Sequence, residues 1–185
     1  MITKQVRIVE VGPRDGLQNE AQIISLADKV KLIESLAQAG IQHIEAGSFV
    51  SPKWVPQMAD SLEVMQEIKR LDNVRYSALV PNSKGLEQAI KANASEIAIF
   101  TAASESFCQK NINCSIEESL NRFAEVMIIA KAQGLPVRGY VSCILGCPYE
   151  GKITTENAVS HFEKVKSVCL RLLDMGCYEI SLGDT

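Results

Sequence analysis

Polar and charged side chains stand at the ends of the short apolar segments of this chain, where they could do chemistry. Arg14 and Asp15 follow the first segment, and Glu45 lies inside the second. An unpaired polar group in an apolar strand is costly, so one layer of inward-pointing groups would explain them together. The alternative is that each is satisfied locally or faces a helix. The other polar residues of this set are Ser48, Asn82, Thr101, Ser104, Glu105, Tyr140, Ser142, Ser181 and Asp184.

Two other kinds of site are not supported by the motifs. The turn Gly12-Pro13-Arg14-Asp15-Gly16 is not the glycine fingerprint of a dinucleotide-binding fold, and it lacks that motif's entry into a helix. Cys143 and Cys147 have a spacing that a metal pair could use, but no second pair or nearby histidine completes it. We therefore predict neither a phosphate cradle nor a zinc site.

Alternating strands and helices must position these side chains. Short buried strands that alternate with helices imply a parallel sheet with right-handed crossovers. The Ser115–Glu118 pair predicts a capping box at the start of one helix. The predicted strands are 6–11, 41–49, 76–80, 96–100, 137–142 and 178–182. The predicted helices are 25–40, 60–71, 84–92, 115–134 and 155–175.

Two α/β architectures fit this alternation: an open doubly wound sheet and a (β/α)₈ barrel. The barrel requires catalytic groups at the carboxyl ends of several strands, which is where the polar residues lie. Eight strands and about 250 residues are typical of that fold. We therefore predict an incomplete (β/α)₈ TIM barrel with about six of eight βα units. Residues 1–185 are expected to be the N-terminal part of one catalytic barrel domain.

Composition limits the partners and the compartment. The chain has 185 residues, 46% of them hydrophobic, and a net charge of −3 without a basic stripe, so we expect no nucleic-acid partner. No apolar run approaches the roughly 20 residues that cross a membrane, and we expect no membrane association. The six cysteines are interpreted as reduced thiols in a cytoplasmic protein.

Long segments of the chain resemble hydroxymethylglutaryl-CoA (HMG-CoA) lyase. The element Arg14-Asp15-Gly16-Leu17-Gln18 alone is less specific, because a wider set of metal-dependent barrel lyases and synthases shares it. The resemblance spans nearly the whole chain. The matching segments are 6–20, 44–58, 110–119, 138–143, 145–151 and 176–185.

The resemblance implies a retro-Claisen cleavage of 3-hydroxy-3-methylglutaryl-CoA to acetyl-CoA and acetoacetate, with Mg²⁺ or Mn²⁺. A hard divalent cation on hydroxyl and carboxylate oxygens lowers the pKa of the alcohol. By this resemblance Asp15 is a metal ligand that also handles the proton. Arg14 is the cation that meets the developing enolate oxygen. The alternative for the pair is a strand-end turn with a surface ion pair.

Further roles are implied by the same resemblance. Glu45 is a catalytic carboxylate that holds Arg14, and Gln18 orients the metal loop. Cys147 stands in a Gly-Cys-Pro-Tyr setting, but the catalytic cysteine loop of the family belongs nearer the C-terminus, so we do not assign it as the catalytic acid. The expected substrate-binding residues are Arg14, Gln18, Ser48, Tyr140, Ser142, Ser181 and Asp184.

The chain also departs from the family pattern. The family's other metal ligands, a His-x-His and an Asn, have no counterpart, and His43 and His161 are interpreted as structural or surface histidines. Ala21 stands where family members often have a lysine. We expect the chain as given to be inactive alone and the complete enzyme to be a dimer that serves leucine degradation or ketone-body formation. The alternatives are a condensing synthase of the isopropylmalate or homocitrate type, and a non-catalytic fragment that associates with another chain.

Overall fold

The computed structural model describes residues 6–184, which divide into two compact units. The first contains the described residues up to Val80 together with Glu87–Glu96, and the second contains Pro81–Leu86 and the described residues from Ile97 onward. Parallel strands and helices alternate in both. The helices are α1 (Leu26–Gln38), α2 (Ser61–Glu67), α3 (Ser83–Lys91), α4 (Glu105–Ile112), α5 (Ile116–Ala132) and α6 (Ala158–Asp174). The strands are β1 (His43–Ser48), β2 (Arg75–Leu79), β3 (Glu96–Ala102), β4 (Val137–Ser142), β5 (Gly146–Cys147), β6 (Gly151–Lys152) and β7 (Glu179–Leu182).

In the first unit, β1 pairs in parallel with β2, and α1 and α2 cover apolar side chains. Ser25 caps α1 by accepting a hydrogen bond from the N–H of Asp28, as its sequence predicts. Lys29 is buried in α1, where its ammonium donates to the carboxylate of Asp60 at 2.6 Å. This pair ties α1 to the segment that leads into α2. The largest apolar side chains of this unit that are less than 2% exposed are Ile33, Ile44, Val64, Met65 and Tyr76.

In the second unit, β4 pairs in parallel with both β3 and β7. The short strands β5 and β6 form an antiparallel hairpin, which the sequence analysis did not predict. The predicted capping box is confirmed: the side chain of Ser115 accepts from the N–H of Glu118, and the carboxylate of Glu118 accepts from the N–H of Ser115. Helix α4 was not predicted either; the hydroxyl of Ser104 caps it.

The predicted first strand, 6–11, is wrong. The structure has an isolated parallel bridge there, in which the N–H of Glu10 donates to the carbonyl of His43 and its carbonyl accepts from the N–H of Glu45. One bridged residue does not make a strand, because a strand needs successive pairs. Val6 and Ile8, whose alternation suggested a strand, are 88% and 63% exposed.

Candidate active site

Arg14 and Asp15 lie in one π-helical turn, Gly12–Gly16. The carboxylate of Glu10 accepts a hydrogen bond from the first N–H of this turn at 2.7 Å. The N–H groups of Arg14 and Asp15 both donate to the carbonyl of Val11. These bonds fix the backbone that carries the two side chains. The side chain of Arg14 is buried, whereas that of Asp15 is 55% exposed.

The guanidinium of Arg14 lies between two carboxylates of unlike exposure. Its Nε donates to Oε1 of Glu45, which is fully buried on β1, and its Nη1 donates to Oδ1 of Asp15 at 2.7 Å. Charge-assisted hydrogen bonds of this kind hold a guanidinium plane in one orientation. The turn and the Arg14–Asp15 ion pair considered from the sequence are both present, but the pair is exposed only on the side of Asp15, because the guanidinium of Arg14 is buried. The three groups form a preorganised cation beside an accessible carboxylate.

A one-residue bulge in β1 puts Ser48 on the same face as Glu45. Glu45 is in register with Ser77 of β2, but the register then shifts and Ser48 pairs with Leu79. Ser77 and Leu79 are two residues apart and therefore share a face of β2. In an unbroken strand, residues three apart would point to opposite faces. The extra residue, Ala46, is what turns Ser48 toward the face of Glu45.

Ser61, the first residue of α2, fixes the backbone of the bulged strand. Its hydroxyl accepts a hydrogen bond from the N–H of Ser48 at 3.0 Å and donates to the carbonyl of Met58 at 2.7 Å. Gly47 allows this close approach, since a Cβ at this position would lie 2.9 Å from both the Cβ and the Oγ of Ser61. Ser48, Ser61 and Met58 are all buried. The predicted site residue Ser48 is thus held by its main chain.

The second unit contains a polar face on β4. Burial alternates along the strand, with Val137 and Val141 buried and Tyr140 and Ser142 half-buried at the intervening positions. Tyr140 is in register with Ser181 of β7, so the two side chains lie on the same face of neighbouring strands. The structure therefore brings together Tyr140, Ser142 and Ser181.

Arg138 and Glu179 belong to the same face and were missed by the sequence analysis. Their side chains approach to 3.5 Å between Nη2 and Oε1, and the guanidinium lies 5.6 Å from the ring centroid of Tyr140. Within residues 6–184, the buried Nε and Nη1 atoms of Arg138 have no hydrogen-bond partner. The signal was available, because 138, 140 and 142 are the alternate positions of an apolar strand.

Four of the strand-end polar residues do not belong to a common layer. Thr101 bonds to Ser119 of α5 at 2.8 Å between hydroxyl oxygens, and Ser104 caps α4. Asn82 and Glu105 accept hydrogen bonds from the N–H groups of Gly85 and Ile116 at helix starts. For these four, local satisfaction was the correct alternative. Gln18 is half-buried just after the π-helical turn, and Asp184 is exposed just after β7.

A second cluster of reactive groups lies in the second unit around Cys147. Its Sγ lies 2.9 Å from the Oγ of Ser104, which donates to Oε1 of Glu150 at 2.7 Å. Burial raises the pKa of the Cys147 thiol, but hydrogen bonds with Ser104, with the N–H groups of Tyr149 and Glu150 and with Cys143 outweigh it and hold the pKa below its usual range. The pKa of Glu150 is also lowered, because hydrogen bonds from Ser104 and Ser106 outweigh the effect of burial.

The exposed carboxylate of Asp15 fits one oxygen ligand of a hard divalent cation. In the part of the chain that the structure describes, no group of three or more His, Cys, Asp or Glu side chains is placed to hold a metal. His161 instead bonds through Nε2 to the carbonyl of Ile144 at 3.0 Å, which is a structural contact. Among residues 6–184, the site therefore offers the carboxylate of Asp15 as one candidate oxygen ligand.

Parallel strands that carry polar side chains toward their carboxyl ends are typical of (β/α)₈-barrel enzymes. A crystal structure of hydroxymethylglutaryl-CoA lyase from Pseudomonas aeruginosa is similar to this chain, with a TM-score of 0.91 and 54% identity; the match covers 98% of this chain and 58% of that one. This likeness confirms the α/β fold of a partial barrel. The HMGL-like family profile matches residues 5–185. The chain belongs to the HMGL-like family.

Curated relatives agree with this assignment. The chain is 59% identical over 182 residues to a mitochondrial hydroxymethylglutaryl-CoA lyase of Bos taurus, covering 98% of this chain and 54% of that protein. It is 58% identical over 184 residues to a cytoplasmic 3-hydroxy-3-methylglutaryl-CoA lyase of Mus musculus, covering 100% of this chain and 52% of the relative. The chain thus spans about half the length of these relatives. None of the helices between residues 6 and 184 has both the length and the apolar character needed to cross a membrane.

Proposed function

We propose that the protein to which this chain belongs cleaves 3-hydroxy-3-methylglutaryl-CoA to acetyl-CoA and acetoacetate. The observation that carries the proposal is the buried Arg14, oriented by Glu45 and adjoining the accessible carboxylate of Asp15. Similarity to proteins named as lyases of this substrate supports the same reaction, and favours it over a condensing synthase.

Arg14 supplies a fixed positive charge for the step in which the carbon–carbon bond breaks. The electron pair of that bond moves onto the thioester carbonyl, which becomes an enolate oxygen. A guanidinium already held by Glu45 meets this developing charge without reorganising, so it stabilises the transition state more than the ground state. Glu45 acts through Arg14 and is a positioning residue.

Asp15 would hold the divalent cation, Mg²⁺ or Mn²⁺. When bound, such an ion lowers the pKa of a coordinated alcohol and fixes the geometry of hydroxyl and carboxylate oxygens. The carboxylate of Asp15 is also the group that we propose accepts the proton of the tertiary hydroxyl, because it is exposed and linked to Arg14. Gln18 would support the turn that carries these residues.

The polar face of β4 and β7 is proposed to bind the substrate, through Tyr140, Ser142 and Ser181, with Asp184 beyond the strand end and Ser48 on β1. Tyr140 and Ser181 are neighbours in register, which suits the binding of one acyl group by two hydroxyls. We further propose a dimeric, cytoplasmic enzyme that serves leucine degradation or ketone-body formation. The cytoplasmic mouse relative supports this location, and the mitochondrial bovine relative supports the alternative.

The proposal can be tested in a chimaera in which this chain replaces the matching segment of the P. aeruginosa lyase. We expect the chimaera to release acetyl-CoA from HMG-CoA with Mg²⁺. Arg14→Lys should lower kcat by about 10²- to 10³-fold, because the lysine cannot reproduce the oriented fork of donors. Arg171→Lys is the matched control, since Arg171 forms an exposed pair with Glu117. A folded chimaera without lyase activity, or one indifferent to Arg14→Lys, would contradict the proposal.

A further inference from the structure

The hydroxyl of Ser104 lies between the thiol of Cys147 and the exposed carboxylate of Glu150. Its Oγ is 2.9 Å from the Sγ of Cys147 and 2.7 Å from Oε1 of Glu150, and the hydroxyl stabilises the Cys147 thiolate when it donates to the sulfur. The exposed Glu150 is in turn held by the N–H of Ser106 at 2.9 Å.

Main-chain N–H groups also stabilise the thiolate form of Cys147 by donating hydrogen bonds to its sulfur. The N–H of Tyr149 lies 3.4 Å from the Sγ of Cys147, and the N–H of Glu150 also donates to it. Burial raises the pKa of the thiol, but these donors together with Ser104 and Cys143 outweigh it and hold the pKa below its usual range. A thiolate held by backbone donors is the reactive form of cysteine.

A small polar cavity gives access to this sulfur. Its volume is about 100 Å³, which is enough for an oxidant of two or three heavy atoms. Lys152, Lys164, His161 and Glu150 line the cavity together with Cys147.

A second thiol stands next to the first. Cys143 is fully buried and its thiol is hydrogen-bonded to Cys147. Burial raises the pKa of Cys143 to about 12, with Cys147 and other anionic neighbours adding to the effect, so Cys143 stays protonated when Cys147 ionises. Cys143 has a left-handed backbone with φ of 61°, which the surrounding fold must hold in place. Two contacting thiols of such different acidity can act as attacking and resolving partners.

We propose that Cys147 is a site of oxidation by hydroperoxides and that Cys143 resolves the product as a Cys143–Cys147 disulfide. The Cys147 thiolate attacks one oxygen of hydrogen peroxide; the O–O bond breaks, an S–O bond forms and hydroxide leaves, giving a sulfenic acid. The sulfur of Cys143 then attacks the oxidised sulfur: an S–S bond forms, the S–O bond breaks, and the proton of the Cys143 thiol passes to the departing hydroxyl, which leaves as water. Sulfur loses two electrons and peroxide gains them. This reaction does not use Arg14, Asp15 or Glu45, and it is independent of the proposed lyase activity.

The test uses the reduced 185-residue chain and mass spectrometry of its tryptic peptides. Peptide 139–152 carries both thiols, whereas Cys108, Cys114, Cys169 and Cys177 each fall in a different peptide. Iodoacetamide at pH 7 should alkylate Cys147 at least about tenfold faster than Cys108 or Cys177, whose pKa values are raised by burial. In a separate sample that has not been alkylated, hydrogen peroxide should remove two hydrogens from peptide 139–152 while the other four thiols stay reduced.

Two variants separate the role of Cys143 in forming the disulfide from the role of Ser104 in activating Cys147. Cys143→Ser should abolish the two-hydrogen loss and leave a Cys147 sulfenic acid that dimedone traps. Ser104→Ala should slow the alkylation of Cys147 severalfold, whereas Ser115→Ala, which removes the same kind of helix cap far from Cys147 in sequence, should not. The proposal is overturned if Cys147 reacts no faster than the buried thiols of the unmodified chain, or if peroxide leaves peptide 139–152 reduced.

Discussion

Replacing Gly47 by Ala should destabilise the first unit through a single contact. The new Cβ would lie 2.9 Å from the Cβ of Ser61, and ordinary carbon contacts are about 3.5 to 4.0 Å, so α2 must retreat by roughly 0.6 to 1 Å. That movement also lengthens the 3.0 Å bond from the N–H of Ser48 to the hydroxyl of Ser61, at a place where both residues are buried.

The magnitude follows from three effects. Overpacking of a buried contact costs about 1 to 3 kcal/mol. An unsatisfied buried N–H costs about 1 to 3 kcal/mol more. The lower entropy of the unfolded chain with Ala in place of Gly returns about 0.4 to 1 kcal/mol. Gly47→Ala should therefore lower the free energy of unfolding by about 1 to 6 kcal/mol.

Urea unfolding of the 185-residue chain, followed by circular dichroism, measures this change as a lower midpoint at constant slope. Gly16→Ala is the matched control, because no atom lies within 4 Å of a Cβ at that position. In a Ser61→Gly background, which removes both clashing atoms, Gly47→Ala should cost little. An equal cost in both backgrounds, or no cost in the parent chain, would refute the explanation.

Two further predictions concern charge and protons. Asp15→Asn should weaken Mn²⁺ binding by at least about tenfold, because a ligating carboxylate loses its charge; electron paramagnetic resonance measures the binding. Asp28→Asn, at an exposed helix cap, is the control. An unchanged Mn²⁺ titration of Asp15→Asn would remove Asp15 from the metal site. The chain should also lose stability in alkali, because burial raises the pKa values of Cys143 and Cys177 from 9.0 to about 12. Their contribution to the free energy of unfolding is complete below pH 9.0 and is lost as the pH rises toward 12, since the unfolded thiols release protons first. Urea midpoints of the parent chain should therefore fall over this range, and those of Cys177→Ala should fall less steeply. Midpoints that stay constant in the parent chain, or that fall as steeply in Cys177→Ala, would contradict the assignment.

Local signals in the sequence predicted local structure well. The Ser115–Glu118 capping box and the Ser25 cap of α1 were correct, because each depends on residues three positions apart. Ser104 carried a similar signal for α4, which the sequence analysis treated only as a strand-end polar residue. The alternation at Val6 and Ile8 predicted a strand wrongly, because period-two hydrophobicity does not show whether a pairing partner exists.

Contacts between residues that are far apart in the sequence could not be predicted from the pattern of apolar and polar residues alone. The pairing of Arg14 with Glu45 came from the family resemblance, and the structure confirms that contact. The bond between Ser104 and Cys147 joins residues 43 positions apart, and no spacing rule connects them. The register shift within β1 likewise depends on how β2 pairs with it, which the sequence of β1 does not contain.

The bulge in β1 makes residue count more important than residue identity between Glu45 and Ser48. Deleting Ala46 would leave Glu45 and Ser48 two positions apart in a regular strand, so the two side chains would still share a face. If all four residues were kept and the bulge were lost, Glu45 and Ser48 would be three positions apart and would turn to opposite faces. The shared face thus depends on how many of these residues pair with β2, and not on which side chains they carry.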